Sequence, residues 1–239
     1  MYKQREYRRW VKNDGLVWFE VVEKETDLGI SASKLLESQA RASILTYRRD
    51  LESYMATDRD FCGSVEPIAV NADAPLIVRA MADAAARAGV GPMAAVAGAM
   101  AEFVGRDLLE FSDEVIVENG GDIFLSTTKP RTIGIYAGED SPFTGKLALE
   151  IEPKEDGFGV CASSGTVSHS LSFGYTDAVV IVSDDTLLAD AVATAAGNIV
   201  KTPDDIEKAI NFARSVDGVL GILVMIKDKM GSWGEIKLV

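Results

Sequence analysis

The stretch EVIVENGGDIFLSTTKPRTIGIYAGEDSPFTGKLALEI, Glu114–Ile151, breaks into short apolar runs at 115–117, 123–125, 133–136 and 147–151, separated by Gly, Asp, Pro and Ser. Runs of three to five β-forming residues punctuated by turn formers predict consecutive strands, here a β-meander. Before it, Leu36, Ala40, Ile44, Tyr47, Leu51 and Met55 recur at three- and four-residue steps, which predicts an amphipathic helix over 33–56. Asp73 and Pro75 open a second helix that Gly89 closes, and the Ala- and Gly-rich 91–109 predicts a third whose shallow surface lets another backbone approach. A strand over 15–24 precedes these helices. After the meander come strands at 157–161 and 177–182, helices at 186–200 and 203–216, and closing strands at 219–227 and 235–239. Helices gathered early and late around a run of strands imply an α+β or mixed α/β fold, with a mixed, largely antiparallel sheet packed by helices, and disfavour a regular βαβ alternation.

Composition narrows the class. The 239 residues are 47% hydrophobic and 26% charged, enough to bury a core without disulfide staples. No repeat or convincing linker divides them, so a single domain over 1–239, or two closely packed subdomains, is expected. The formal charge of −13 argues against a nucleic-acid partner or an anionic membrane surface, both polyanions, and the basic residues between Arg5 and Arg9 read as a solvated strand face. No run approaches a membrane span or a secretory leader, and the two cysteines, Cys62 and Cys161, are distant in sequence. A cytoplasmic protein with reduced thiols is the expectation. Apolar edge strands such as 219–226 would offer a homodimer contact.

Three short motifs carry candidate chemistry, each with an ordinary structural alternative. ENGGDI, Glu118–Ile123, joins two strands through residues that tolerate positive φ; it is a tight hairpin, or one whose Asn119, Gly120, Gly121 and Asp122 let a ring or phosphate approach the backbone. ASSGT, Ala162–Thr166, places Ser163, Ser164 and Gly165 at a strand end, as an ordinary loop or as small contacts for a ligand. ADAVATA, Ala189–Ala195, puts Asp190 and Thr194 on one helix face, where a carboxylate and a hydroxyl can hold a hard cation or serve as a helix charge and a packed core group. His169 is the single histidine, which disfavours zinc or iron. A hydrolase built on Cys161, Ser164 or His169 lacks an assignable triad.

NGGDI, ASSG and ADAVATA, in that order, resemble the GGD hairpin, ATSG-like loop and ADALATA-like metal helix of the ApbE flavin-transferase superfamily, and VAGAMA, Val96–Ala101, is similar to its alanine-rich AKG helix. The similar segments span 92–199. That family includes Mg²⁺-dependent enzymes that cleave FAD and attach FMN to a Thr or Ser of an acceptor protein. The resemblance implies Mg²⁺ ligands at Asp190 and Thr194, and a flavin or nucleotide pocket lined by Asn119, Gly120, Gly121 and Asp122 and flanked by Ser163, Ser164 and Gly165. Gly98 stands where the AKG segment has lysine, and His169 runs into SLSFG without an Asp-Pro. The sequence is thus most similar to the short cytosolic branch of the superfamily. It implies either an FMN transferase or a noncatalytic small-molecule binding or assembly module on the same scaffold.

Overall fold

Helices and strands form where hydrophobic period and local stop signals agree. The computed structural model describes residues 15–139, 141–165 and 175–239. Strand β1 (Val17–Glu23) turns tightly into β2 (Thr26–Ala32), and helices α1 (Glu37–Thr57), α2 (Arg59–Gly63), α3 (Leu76–Ala88) and α4 (Val96–Leu108) follow. Strands β3 (Val115–Asn119), β4 (Asp122–Thr127), β5 (Arg131–Gly134), β6 (Ala148–Ile151), β7 (Lys154–Ser163) and β8 (Ala178–Ser183) lead to α5 (Thr186–Ile199), α6 (Ile206–Ser215), β9 (Val219–Ile226) and β10 (Lys229–Gly234). Eight strands make one antiparallel sheet in the order β1-β2-β3-β4-β7-β8-β9-β10, while β5 and β6 pair separately. This is the expected α+β class.

The large sheet is buried on both faces at its centre. Along β8, Val179 and Ile181 face the helices, and Ala178, Val180 and Val182 face the small sheet. Along β9, Ile222 and Val224 face the helices, and Leu223 and Met225 the small sheet. Period-two alternation thus yields unbroken apolar strands, because neither face meets water. On the helical side α4 lies over β3 and β4, α5 over β7 and β8, and α6 over β9, with α3 stacked on α1, α4 and α5. No single helix among the described residues is long and apolar enough to cross a membrane.

Glycines set the closest approaches. A Cβ at Gly98 of α4 would stand 2.5 Å from the Thr186 carbonyl oxygen, and one at Gly159 of β7 would stand 2.5 Å from Thr186 Cα. Both lie far inside van der Waals contact, so α4, α5 and β7 meet at Thr186 only because two side chains are absent.

The structure corrects several expectations. The meander is interrupted: β4 pairs with β7, and β5 and β6 leave the large sheet to cover its outer face. Apolar runs record burial and not partner, so the sequence could not separate these pairings. Segment 91–109 is not one helix; a 3-10 turn over Pro92–Ala95 precedes α4. Helix α1 starts at Glu37, after Ser33 is engaged by Ser112. Strands β2 and β10 were not expected, because their hairpins turn at Lys24 (φ 53°) and Lys227 (φ 56°), without the glycine that usually marks such turns. Strand β9 is therefore not an edge: it lies between β8 and β10, and among the described strands β1 and β10 are outermost, which removes the stated basis for a homodimer. Segment 235–239 forms no separate strand. It crosses to β6, where Val239 and Ala148 exchange backbone hydrogen bonds and Lys237 accepts from the Glu150 amide.

Gly98→Ala drives a methyl into backbone rather than into a movable side chain. Its expected cost is about 1–3 kcal/mol of unfolding free energy, read by urea denaturation.

Candidate functional site

The hairpin between β3 and β4 is a two-residue turn in which Asn119 pairs with Asp122, and Gly120 (φ 71°) and Gly121 (φ 106°) occupy the positive-φ positions. The Gly-Gly pair is required by this turn, whatever else it does. Gly121 N donates to Glu118 Oε1 at 2.8 Å, and Asn119 Nδ2 donates to the Ala97 carbonyl at 3.1 Å, fastening the turn to the first turn of α4. Register then places Asp122 opposite Cys161 of β7, with both side chains under the helices.

The end of β7 continues into the second motif. A Cβ on Gly121 would come within 3.7 Å of the Ala162 carbonyl oxygen, so the turn lies directly beside the strand end. Ser163 is buried near Gly197 of α5, where an added Cβ would meet its Oγ at 3.5 Å. Gly165 N and Ser164 Oγ both donate to the Thr176 carbonyl, at 3.0 and 3.5 Å, and close the loop base. His169 and Thr166 lie outside the described residues, as does the basic run Arg5–Arg9.

Helix α5 supplies the third motif. Asp185 caps its first turn by accepting from Leu188 N, and Asp190 comes one turn later, facing α4. Asp190 is 8% exposed, and its Oδ2 accepts the Gly98 amide at 2.9 Å. Helix α4 has no capping side chain of its own, so a carboxylate from another helix fills that place at its positive end. Thr194, one turn beyond Asp190, is half-buried on the same face. The three motifs, which begin at Glu118, Ala162 and Ala189, thus come together on the helical side of the sheet.

Sequence reasoning passed over Glu102. Its carboxylate is buried, accepts the Thr186 amide at 2.7 Å and pairs with Arg106, so it holds the first turn of α5 as Asp190 holds that of α4. The signal was present: Glu102 shares the small-residue face of Gly98 and Gly105, four and three residues away, and an acid on a packing face needs a partner.

Electrostatically the site is dry and acidic. Burial, then the Asp190 charge, then Glu118 push the Asp122 carboxyl well above its usual range, while the Cys161 thiol and the Ala162 amide partly oppose this. Burial raises Asp190 to about 7 against the lowering effect of the Gly98 and Ala97 amides. Cys161 is fully buried, and its Sγ lies 3.4 Å from the Thr186 carbonyl oxygen. Burial and the two carboxylates push its thiol well up, the reverse of what a nucleophilic thiolate needs. Among the described residues, neither Asp122 nor Asp190 stands in an ion pair, and no three His, Cys, Asp or Glu side chains form a metal-binding group. The donor set suits a cation that takes one or two carboxylates with other oxygens, and does not suit zinc.

A carboxyl whose folded pKa is raised binds its proton more tightly in the folded state, so its contribution to stability is full below the unfolded pKa near 4 and declines as pH rises to the folded value. With a chelator present, the raised carboxyls are expected to take thermal stability down from about pH 4 to about pH 7, against the opposite contribution of Glu114 and Asp205, whose values are lowered by their partners. Asp177 and Asp185 are also raised by burial and contribute with the same sign, so Asp190→Asn is expected to flatten this slope rather than abolish it in melting curves across that range.

Comparison with known proteins agrees with this architecture. A family model described as "AbpE bacteria" matches residues 8–228. A UPF0280 protein of Methanocella arvoryzae is 41% identical over 214 residues, covering 89% of this chain and 86% of the relative. One from Methanococcus aeolicus is 39% identical over 221 residues, covering 90% and 88%. Among solved structures, the flavinyl transferase ApbE of Pseudomonas stutzeri in its apo form has a TM-score of 0.59 at 14% identity, covering 94% of both chains. The flavin transferase ApbE of Vibrio cholerae has 0.60 at 13%, covering 94% of this chain and 97% of that one. With a family model spanning most of its length and relatives near 40% identity, the chain belongs to the ApbE-like family described as "AbpE bacteria", together with the UPF0280 proteins.

Proposed function

We propose that this protein binds a flavin, or another nucleotide-like diphosphate, together with Mg²⁺ on the helical side of the sheet where the three motifs come together, and that its reaction is transfer of FMN from FAD to a hydroxyl of an acceptor protein. The observation that carries the reading is Asp190: a buried carboxylate fixed by the amide of Gly98, free of any ion pair among the described residues, on the helix whose Gly197 packs against Ser163 and set against the turn of α4 that holds the glycine hairpin. Neighbours in fold that are flavin transferases lend it support.

Each group has a task under this reading. Asp190 and the Thr194 hydroxyl would hold Mg²⁺ through hard oxygen donors, the kind of ligand this cation takes alongside water and phosphate oxygens. A cation held there would offset the charge that builds as the acceptor hydroxyl, losing its proton, attacks the FMN-side phosphorus and the diphosphate bond breaks to release AMP. The Gly98 amide keeps Asp190 in one rotamer, so its oxygen needs no reorganisation when the ligand arrives. Gly120 and Gly121 leave the hairpin tip without side chains, giving a ring or phosphate access to backbone with Asn119 and Asp122 at its flanks. Ser163, Ser164 and Gly165 border the same side with small groups.

One observation favours a second reading, a binding or assembly module without turnover. Gly98, at the lysine position of the family's helix, has no room for any side chain against the Thr186 carbonyl, so this position supplies no cation toward a leaving phosphate.

The test is calorimetric titration of FAD into the protein with Mg²⁺ and again with EDTA, beside Asp190→Ala. Binding is expected to require both the cation and Asp190, and absence of binding under every condition overturns the flavin reading. Mg²⁺-dependent loss of FAD over time identifies the enzyme, and binding without loss identifies the module.

A further inference from the structure

We propose that Asp122 is a second carboxylate ligand of the cation at Asp190, so that the site is a two-carboxylate clamp closed between the β3–β4 hairpin and α5. This rests on the cation site proposed above and deepens it, since it joins Asp122 to Asp190 on one ion. Two observations carry it. Asp122 is 6% exposed, and its Oδ1 has no hydrogen-bond partner, although a buried carboxylate oxygen left bare costs free energy that native proteins rarely leave unrecovered. Strand register sets Asp122 opposite Cys161, whose Sγ lies 3.4 Å from the Thr186 carbonyl oxygen at the start of the helix that bears Asp190, and the first turn of α4 holds both Asp190, through Gly98, and the Asp122 hairpin, through Ala97.

The packing explains why the clamp needs a positive charge. Asp190 is held by α4, and Asp122 by the turn that Asn119 fastens to the same helix, so neither carboxylate is free to swing out into water. No lysine, arginine or histidine among the described residues pairs with either. Two buried acids fastened to the same turn of α4, one of them with a bare oxygen, and no group of three His, Cys, Asp or Glu among the described residues suit a small, hard divalent ion that would complete its shell with water and ligand oxygens. A purely structural Asp122 would be served as well by asparagine, whose shape is the same and whose burial is cheaper.

The probe is Mn²⁺ alone, without flavin, titrated at pH 8 into the wild type, Asp122→Asn and Asp190→Asn while free Mn²⁺ is counted by electron paramagnetic resonance. Each substitution is expected to weaken Mn²⁺ binding at least about tenfold, on the scale that loss of metal-site partners usually costs. In EDTA, Asp122→Asn is expected to melt no lower than the wild type, and to lack the rise in melting temperature that Mn²⁺ gives the wild type. Should the amide disturb the hairpin, Asp122→Ser provides the same readout with a smaller polar group. Asp122 variants that bind Mn²⁺ within twofold of the wild type, or a wild type that binds none, overturn the proposal. FAD binding separates the two readings: FAD bound with Mn²⁺ indifferent to Asp122 removes the clamp and leaves the flavin site. Mn²⁺ binding lost in Asp122→Asn, with no FAD bound under any condition, supports the clamp and removes the flavin.

Discussion

The crossing of α4 and α5 is the contact on which the rest of the molecule depends. The two helices touch backbone to backbone at Gly98 and Thr186, and each supplies the carboxylate that satisfies an amide in the other's first turn: Asp190 for Gly98, Glu102 for Thr186. Helix N-termini carry unpaired donors and partial positive charge, and buried acids need donors, so two costs cancel at one junction. The exchange requires antiparallel helices with residues four apart facing each other, which fixes both rotation and axial position. Because Gly159 brings β7 against the same Thr186, the crossing also sets the height of the helical layer over the sheet.

That geometry determines what the site can be. A carboxylate at the surface would titrate near its usual value and pair with any passing cation, whereas Asp190 and Asp122 are held under the helices where burial favours their protonated forms. The amide that fixes Asp190 pulls the other way and keeps charge available. A site of this kind is poised between holding its protons and releasing them. Cys161, weighed from sequence as a nucleophile without an assignable triad, is a buried thiol of the helical-side core that bonds the Thr186 carbonyl.

The face away from the helices has a separate logic. Strands β5 and β6, extended by the chain's last residues, cover Leu125, Phe158, Val180 and Leu223, and the buried Arg131–Glu114 pair ties β5 to the approach to β3. Glu114 is raised by burial but lowered more by Thr128 and Arg131, so the acid stays ionised and the pair survives its own desolvation. This second core makes the central strands apolar on both faces.

Much of the fold was legible in local pattern. The three-and-four spacing of α1, the Pro and Gly bounds of α3 and the apolar runs of β3, β8 and β9 each follow from residues within one element, because period and helix stop signals are local properties. The Gly-Gly turn was legible for the same reason. Strands β2 and β10 were not, since Lys24 and Lys227 adopt positive φ without glycine and the strands beyond them carry weak β-formers. The sequence by itself determined the class of fold, the family motifs and the residues worth testing. Only the tertiary structure decided that Asp122 lies opposite Cys161, that Asp190 caps a helix other than its own, and that Glu102 returns the contact. Those relations depend on strand register and helix crossing, which join residues 39 to 92 positions apart through long-range packing and leave no local periodicity to read.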